Sequence, residues 1–413
     1  MSPDRKEVFP LSRKILDCYQ VPVEMDYMLS MALGTPLPEI SSGFEWNKFF
    51  SFVSKNRLKT LVSAGAAKLS HPPEQLLQLK TDADYLTVKT LQQIQTLAFL
   101  AAEFQASGIR MLSMKGPLLA AAIYGDPSLR YSGDLDLLVP EEDFQTAKAR
   151  LISAGYSECI DLHHQTEKRR KICRDSGEEM HEVFKKGDLC VELHWRISFR
   201  YPVSFEELWT NREQRMLLGQ EINCLGDLDN LIYLICHAAG HGYSRLRWLT
   251  DLYELFKNGT VNYTELFQEM KNRDAQTFLL ETLLLLYLIP GFRMPGISSS
   301  YFSIRGDQDY VYFSYEEEIK TEAIRACHLT DLLEPLLLKE TDPSGIPERN
   351  YMHLLPVVGK RVTAFSYLYK LMQPRRAELE RFHFPDSLYF LYYIVRPFYK
   401  LWRYTPFYKG EYR

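Results

Sequence analysis

The residues best suited to chemistry lie in one short string, Arg130-Tyr-Ser-Gly-Asp134-Leu-Asp136-Leu-Leu-Val139. Side chains of a strand alternate between faces, so Asp134 and Asp136 project together while Leu135 and Leu137 turn into a core. Two neighbouring carboxylates repel, and a hard cation relieves the repulsion. Mg²⁺ takes oxygen ligands and keeps waters or substrate phosphates in its shell. Such a pair on a core strand is a platform for metal-assisted phosphoryl or nucleotidyl transfer. The plain alternative is a strand end carrying two solvated acids.

Flanking residues add to the pair. Upstream, Met114-Lys115-Gly116-Pro117 joins a strand to a helix, so free backbone N–H groups at the helix start can bind an anion. Lys115 adds a point charge suited to a triphosphate. Downstream, Val191-Glu192-Leu193-His194-Trp195 places Glu192 on an alternating segment. One helix and a loop between Asp136 and Glu192 allow neighbouring strands. A third carboxylate there could complete a metal site or deprotonate an acceptor hydroxyl, although a surface strand residue fits the same position. His194 shares the face of Glu192 and could line the same cleft, orient a carboxylate, or simply pack. Arg130 could pair with Asp134 or reach a phosphate.

These residues need elements to position them. Ile109 to Met114, Leu135 to Val139 and Leu189 to Ile197 read as strands. Pro117 to Ile123 reads as a helix with proline in its first turn, and Glu141 to Ala154 as a second helix closed by Gly155. Between Gly155 and Leu189 lies a polar stretch rich in His and Lys. Strand, helix, strand, helix, strand indicates an α/β or α+β core.

Before this core the chain reads as helical. Trp46, Phe49, Phe50 and Val53 share one helical face, and Ile94, Leu97, Ala101 and Phe104 line another within Glu74 to Ala106. From Leu208 onward the pattern is helical again, strongest over Leu228 to Ala239 and Thr277 to Leu288. Thr341 to Arg349 reads as a loop. The aromatic, basic tail from Phe382 to Tyr408 suits either an interfacial amphipathic segment or packing against the helical region. Pro397 and Pro406 interrupt it and favour packing.

His237 and His241 stand four apart on a predicted helix, a spacing able to bind zinc. The glutamate of an H-E-x-x-H motif is missing, which argues against a zinc hydrolase. The preferred reading is a helix facing a nucleotide cleft, with His241, Arg247 and Asp251 in polar contacts. An Arg247–Asp251 pair of purely structural use is the alternative.

Composition sets limits on function. The 413 residues are 46% hydrophobic and 25% charged, ordinary globular usage that excludes a disordered or fibrous chain. With 49 Lys and Arg against 53 Asp and Glu, the net charge is -4, and duplex nucleic acid is not an expected partner. Seven cysteines, without a C-x-x-C pair, read as reduced thiols. The opening MSPDRKEVFPLSRKIL lacks the apolar stretch of a signal peptide. The longest apolar run, Phe278 to Ile289, falls short of the ~20 residues that span a bilayer. A cytoplasmic location follows as the expectation.

Taken together, Lys115-Gly116, Tyr124-Gly-Asp-Pro-Ser-Leu-Arg130, Gly133-Asp-Leu-Asp-Leu-Leu-Val139 and Val191-Glu-Leu-His-Trp195 resemble the uncharacterised nucleotidyltransferase family of the DNA polymerase beta superfamily. So does His237-Ala-Ala-Gly-His241-Gly-Tyr-Ser-Arg-Leu-Arg247-Trp-Leu-Thr-Asp251. The likeness runs from about Glu45 to Leu255. It implies an α+β fold, with a nucleotidyltransferase-type mixed sheet core over 108–200 between helical regions at 1–107 and 201–413. It also implies a nucleoside triphosphate bound through Mg²⁺, one ion or two. Asp134 and Asp136 would hold metal and triphosphate, with Glu192 as the third acid.

Lys115, Gly116 and Arg130 are then the triphosphate candidates, and His194, His241, Arg247 and Asp251 the candidates for lining the cleft. The superfamily usually carries Gly-Ser where this chain has Lys115-Gly116, so lysine's charge stands in for serine's hydroxyl. The expected reaction moves a nucleoside monophosphate from an NTP to an acceptor hydroxyl or phosphate that the sequence does not name. The alternative is a catalytically weak nucleotide-binding or protein-interaction module on the same fold. A helical scaffold at a membrane surface ranks below both.

Overall fold

The computed structural model describes residues 21–159, 166, 168–169, 172, 180–197, 203–257, 262–273, 275–289, 303–306, 310–315, 318–325, 372, 374 and 376–403. The loop expected at Thr341 to Arg349, the tail beyond residue 403 and Cys18, Cys173 and Cys327 lie outside them. Among the described residues the chain forms two compact units. One takes residues up to Thr90 with Leu119–Tyr131 and Asn230–Arg349, the other Leu91–Leu118, Ser132–Asp229 and Asn350–Arg413.

The second unit is built on a seven-stranded sheet. Its strands are β1 (Leu112–Ser113), β2 (Leu135–Leu138), β3 (Ser157–Glu158), β4 (His181–Lys186), β5 (Leu189–His194), β6 (Glu213–Leu217) and β7 (Gln220–Cys224). They lie in the order β3-β4-β5-β2-β1-β7-β6. The sheet is mixed: β2 runs parallel to β5, β1 runs parallel to β7, and the other pairs are antiparallel. Alternation along β2 and β5 sends Leu135, Leu137, Val191 and Leu193 into one core with Leu97, Phe104, Phe144, Leu151, Phe184 and Trp195. Each such side chain, fully buried, contributes about 1.5–3 kcal/mol. Their neighbours Asp136, Glu192 and His194 are thereby forced to the opposite face.

Three stretches differ from the sequence reading. The polar segment before Leu189 contains β4, which pairs with β5 through a two-residue turn at Gly187-Asp188, with Gly187 at φ 58°. The stretch after Leu208 is helical over Phe205–Thr210 but then forms the β6–β7 hairpin instead of more helix. Its turn is Leu218-Gly219, both left-handed at φ 50° and 79°, as a two-residue hairpin turn requires. Leucine is rare in that conformation, and this hid the turn. A second sheet of three antiparallel strands, Ser303–Gly306, Tyr310–Tyr315 and Glu318–Arg325, also lies in the stretch read as helical.

The expected helices before the core are present as Val23–Leu33, Trp46–Lys55, Lys59–Ala66 and Leu77–Ala106. In the first unit the Val23–Leu33 and Lys59–Ala66 helices meet at Gly65. A Cβ there would come to 2.1 Å from the Met31 carbonyl oxygen, so only glycine permits the contact. The same unit holds Asp227–Gly240 from Asn230 on, with Leu246–Lys257, Tyr263–Asn272 and Gln276–Leu288. Asn56 Oδ1 accepts from the Leu246 backbone at 2.9 Å, and the Tyr243 hydroxyl reaches the Phe278 carbonyl at 3.1 Å.

In the tail, the helix Leu391–Arg403 runs through Pro397 where a break was expected. Tyr392 packs with Leu379 and Ile172, and Arg396 pairs with buried Glu378, so the inner face is held by packing. Ile394, Phe398 and Trp402 remain exposed. Among the described residues no helix is long and apolar enough to cross a membrane.

Candidate active site

The acidic face of the sheet begins at the turn before β2. Gln93 donates to the Ser132 carbonyl at 2.8 Å and fixes that turn, and the Ser132 hydroxyl donates to Asp134 Oδ1 at 3.1 Å. Two residues on, Asp136 sits on β2 beside Glu192 of β5, its register partner across the parallel pair. Asp136 is 2% exposed. Its backbone carbonyl accepts from the Met114 N–H at 3.1 Å, which ties the β1 end to β2. Lys115 then follows directly, and its Nζ lies 3.4 Å from Asp136 Oδ1.

Gly116 opens the Gly116–Tyr124 helix at φ 72°. That left-handed residue lets the chain turn from strand into helix, with Pro117 needing no N–H partner in the first turn. The strand-to-helix junction read from the sequence is therefore present, with Lys115 at its start.

The structure brings Lys115, Gly116, Asp134, Asp136, Glu192 and His194 together in one unit. Sequence reading missed His181. On β4 it stands opposite His194 of β5, and the two rings are 4.6 Å apart. His181 Nε2 is 3.6 Å and His194 Nε2 3.4 Å from the same oxygen of Glu192, and His194 Nε2 is also 3.3 Å from Asp136 Oδ1. The Lys186-Gly187-Asp188-Leu189 turn signal, flanked by alternating residues, could have revealed this hairpin and with it His181.

Electrostatics follow from this crowding. Burial and the charges of Asp136 and Glu192 push the Asp134 carboxyl above the usual range, against the pull of Lys115 and Ser132. Burial also works against a charged Glu192, but His194 and His181 outweigh it and the carboxyl lies below its usual range. For His194, burial is outweighed by Asp136 and Glu192, and its pKa is raised. His181 goes the other way, lowered to about 4 by burial and by the neighbouring His194.

The remaining expected site residues, Arg130, His241, Arg247 and Asp251, belong to the first unit. Arg130 Nε donates to Asp251 Oδ2 at 2.8 Å, with both side chains 1% exposed, so the observed ion pair of Arg130 is with Asp251. The Tyr124 hydroxyl donates to Asp251 Oδ1 at 2.8 Å, and burial together with Asp251 holds this phenol well above its usual range. Arg247 donates to the Tyr131 carbonyl. His237 and His241 lie 4.6 Å apart, and His241 stacks on Trp248 at 5.1 Å. They fall outside the one group of three or more metal-capable side chains found among the described residues, His181, Glu192 and His194.

The donor set on the sheet face suits a divalent cation. Asp134, Asp136 and Glu192 offer oxygen donors on one sheet face, while the ligand atoms that converge within 4.8 Å among the described residues are those of His181, Glu192 and His194. Comparison with known families decides the membership. The family described as uncharacterised nucleotidyltransferase matches residues 42–289, more than half of the chain.

The chain belongs to the uncharacterised nucleotidyltransferase family. Its matched span holds the whole seven-stranded sheet and the Tyr124–Arg130–Asp251 network. No curated protein matches this nucleotidyltransferase family member. Two solved structures are similar. One is the antibiotic-resistance factor ANT(2'')-Ia, at 11% identity and TM-score 0.33, covering 48% of this chain and 96% of that one. The other is an antigenic nucleotidyltransferase-like protein from Paracoccidioides brasiliensis, at 15% identity and TM-score 0.27, covering 45% of this chain and 91% of that one.

Proposed function

We propose that this family member transfers a nucleoside monophosphate from an NTP to an acceptor hydroxyl or phosphate, with Mg²⁺ held by Asp134, Asp136 and Glu192. The observation that carries the reading is the register pairing of Asp136 with Glu192, with Asp134 on the same crowded face. Mg²⁺ would supply charge for the triphosphate and for the oxygens of an in-line displacement. Lys115 would add a point charge beside it, and the backbone N–H groups opening the Gly116–Tyr124 helix would receive phosphate oxygens. Glu192 or Asp136 would accept the proton of the acceptor. The acceptor oxygen then bonds to the α-phosphorus as the bond to the leaving pyrophosphate breaks. Arg130, read from the sequence as a triphosphate candidate, would have to keep its buried pair with Asp251 while contacting phosphate.

The test is calorimetric titration of each NTP with Mg²⁺ into the wild type and into the Asp134→Asn, Asp136→Asn double variant. Mg²⁺-dependent binding that the double variant loses supports the reading, and an α-labelled NTP then screens acceptors. Binding without any turnover favours the nucleotide-binding module. No binding of any NTP removes the transferase reading.

A further inference from the structure

We propose that His181, Glu192 and His194 form a binding site for a borderline transition-metal cation of the Mn²⁺, Co²⁺ or Zn²⁺ class, distinct in preference from a Mg²⁺ site. The site goes beyond nucleotidyl transfer and does not require it. It shares only Glu192 with the acidic set above.

The antiparallel β4–β5 pair builds the site. Directly opposed residues of such a pair have their Cβ atoms about 4.5–5.5 Å apart on one face, and His181 and His194 are so opposed. Glu192 precedes His194 by two, which returns it to that face. Both Nε2 atoms therefore address one carboxylate oxygen, at 3.6 and 3.4 Å. A tetrahedral cation with bonds of about 2.1 Å keeps its ligand atoms roughly 3.4 Å apart; each imidazole stands near that distance from the carboxylate, and all three ligand atoms lie within 4.8 Å of one another.

The state of His194 points to a ligand. Its side chain is only 6% exposed, and Nε2 lies within ion-pair distance of Glu192 and Asp136 yet makes no hydrogen bond to either. A buried imidazole nitrogen aimed between two carboxylates without hydrogen-bond geometry is placed as a metal ligand is placed. The donors also choose the cation. Two imidazoles with one carboxylate suit Mn²⁺ through Zn²⁺, whereas Mg²⁺ prefers an all-oxygen shell and gives up its waters reluctantly.

The experiment uses the full-length, chelator-stripped protein without nucleotide and follows Co²⁺ by visible absorption. One equivalent should bind with d–d bands showing nitrogen ligation, and a hundredfold excess of Mg²⁺ should not displace it. His181→Gln should weaken binding by about tenfold or more. Glu221→Gln, an exposed carboxylate on β7, should bind Co²⁺ as the wild type does. In case His181→Gln fails to fold, Mn²⁺ added to the wild type should selectively broaden the imidazole resonances of His181 and His194. The inference is overturned if the wild type takes up no Co²⁺, if Mg²⁺ displaces it readily, if the two imidazoles are not broadened, or if a folded His181→Gln binds Co²⁺ as tightly as the wild type. Because nucleotide is omitted, failure of the transferase reading leaves these outcomes untouched.

Discussion

Asp136 and Glu192 face one another in register across the parallel β2–β5 pair, and His194 closes the gap between their carboxylates. This pairing gives the sheet one polar face with three acids whose charges are only partly compensated.

Asp134 carries the cost of that arrangement. Its folded pKa is raised above the unfolded value, so the stability it contributes is present at acid pH and lost as pH rises through the folded pKa. Asp134→Asn avoids the loss. The variant should unfold about 2–4 °C above the metal-free wild type at neutral pH, and the gap should close as pH falls toward 4. Thermal denaturation at several pH values reads it, and an unchanged or lower Tm at pH 7 counts against the crowding argument.

The two histidines should titrate apart in the metal-free protein. His181 should stay neutral until about pH 4, while His194 should charge above the ordinary histidine range. Stability due to neutral His181 is present above the unfolded pKa and lost as pH falls toward 4. That due to charged His194 is complete below the unfolded pKa and lost as pH rises through the folded one. NMR of the imidazole protons, assigned through His181→Gln and His194→Gln, reports both curves. A common midpoint near 6.5 contradicts the arrangement.

Breaking the Arg130–Asp251 pair should be costly, because each partner alone is a buried charge. Arg130→Ala is expected to lose about 3–5 kcal/mol in urea denaturation, and Tyr124→Phe only about 1 kcal/mol. Additive losses in the double variant Arg130→Ala, Tyr124→Phe would mean that the two donors do not share Asp251.

Gly116→Ala tests the junction that carries Lys115. A left-handed alanine costs about 1–2 kcal/mol. The new Cβ also meets the Leu135 side chain at 3.3 Å, so Leu135 must shift by a few tenths of an ångström. The folded variant should bind Mg²⁺–NTP more weakly than the wild type, and equal affinity would remove the helix start from the triphosphate site.

Thiol chemistry gives an independent check on burial. Burial pushes Cys190 and Cys224 up to about 11. At pH 8 both should alkylate roughly a hundredfold more slowly than an unperturbed cysteine, as mass spectrometry of iodoacetamide-treated protein can follow.

Local pattern revealed β2 and β5 because short apolar runs there are interrupted by Asp136 and Glu192, and it picked out Asp134 and Lys115 beside them as candidates. Membership of the nucleotidyltransferase family was legible in the same strings. His181 was hidden because its strand, HEVFKK, follows a polar stretch and gains its meaning from a partner across a hairpin. The β6–β7 hairpin was hidden by leucine in a turn position that usually takes asparagine or glycine. Likewise, the partner of Arg130 is 121 residues away, beyond the reach of any periodicity. Each compact unit also gathers segments distant in sequence, which no local pattern reports.

Lys115 and His194 both rest on Asp136, so the chain supplies its own counter-ions at the most buried acid of the site. A zinc finger collapses when its metal is removed because nothing else holds its ligands together. Here Lys115 and His194 already balance the charge of Asp136, so an arriving cation would exchange with charges the chain itself supplies. A chelator should therefore empty this protein without unfolding it. The supply of metal would then govern how much of the protein works, not how much of it survives.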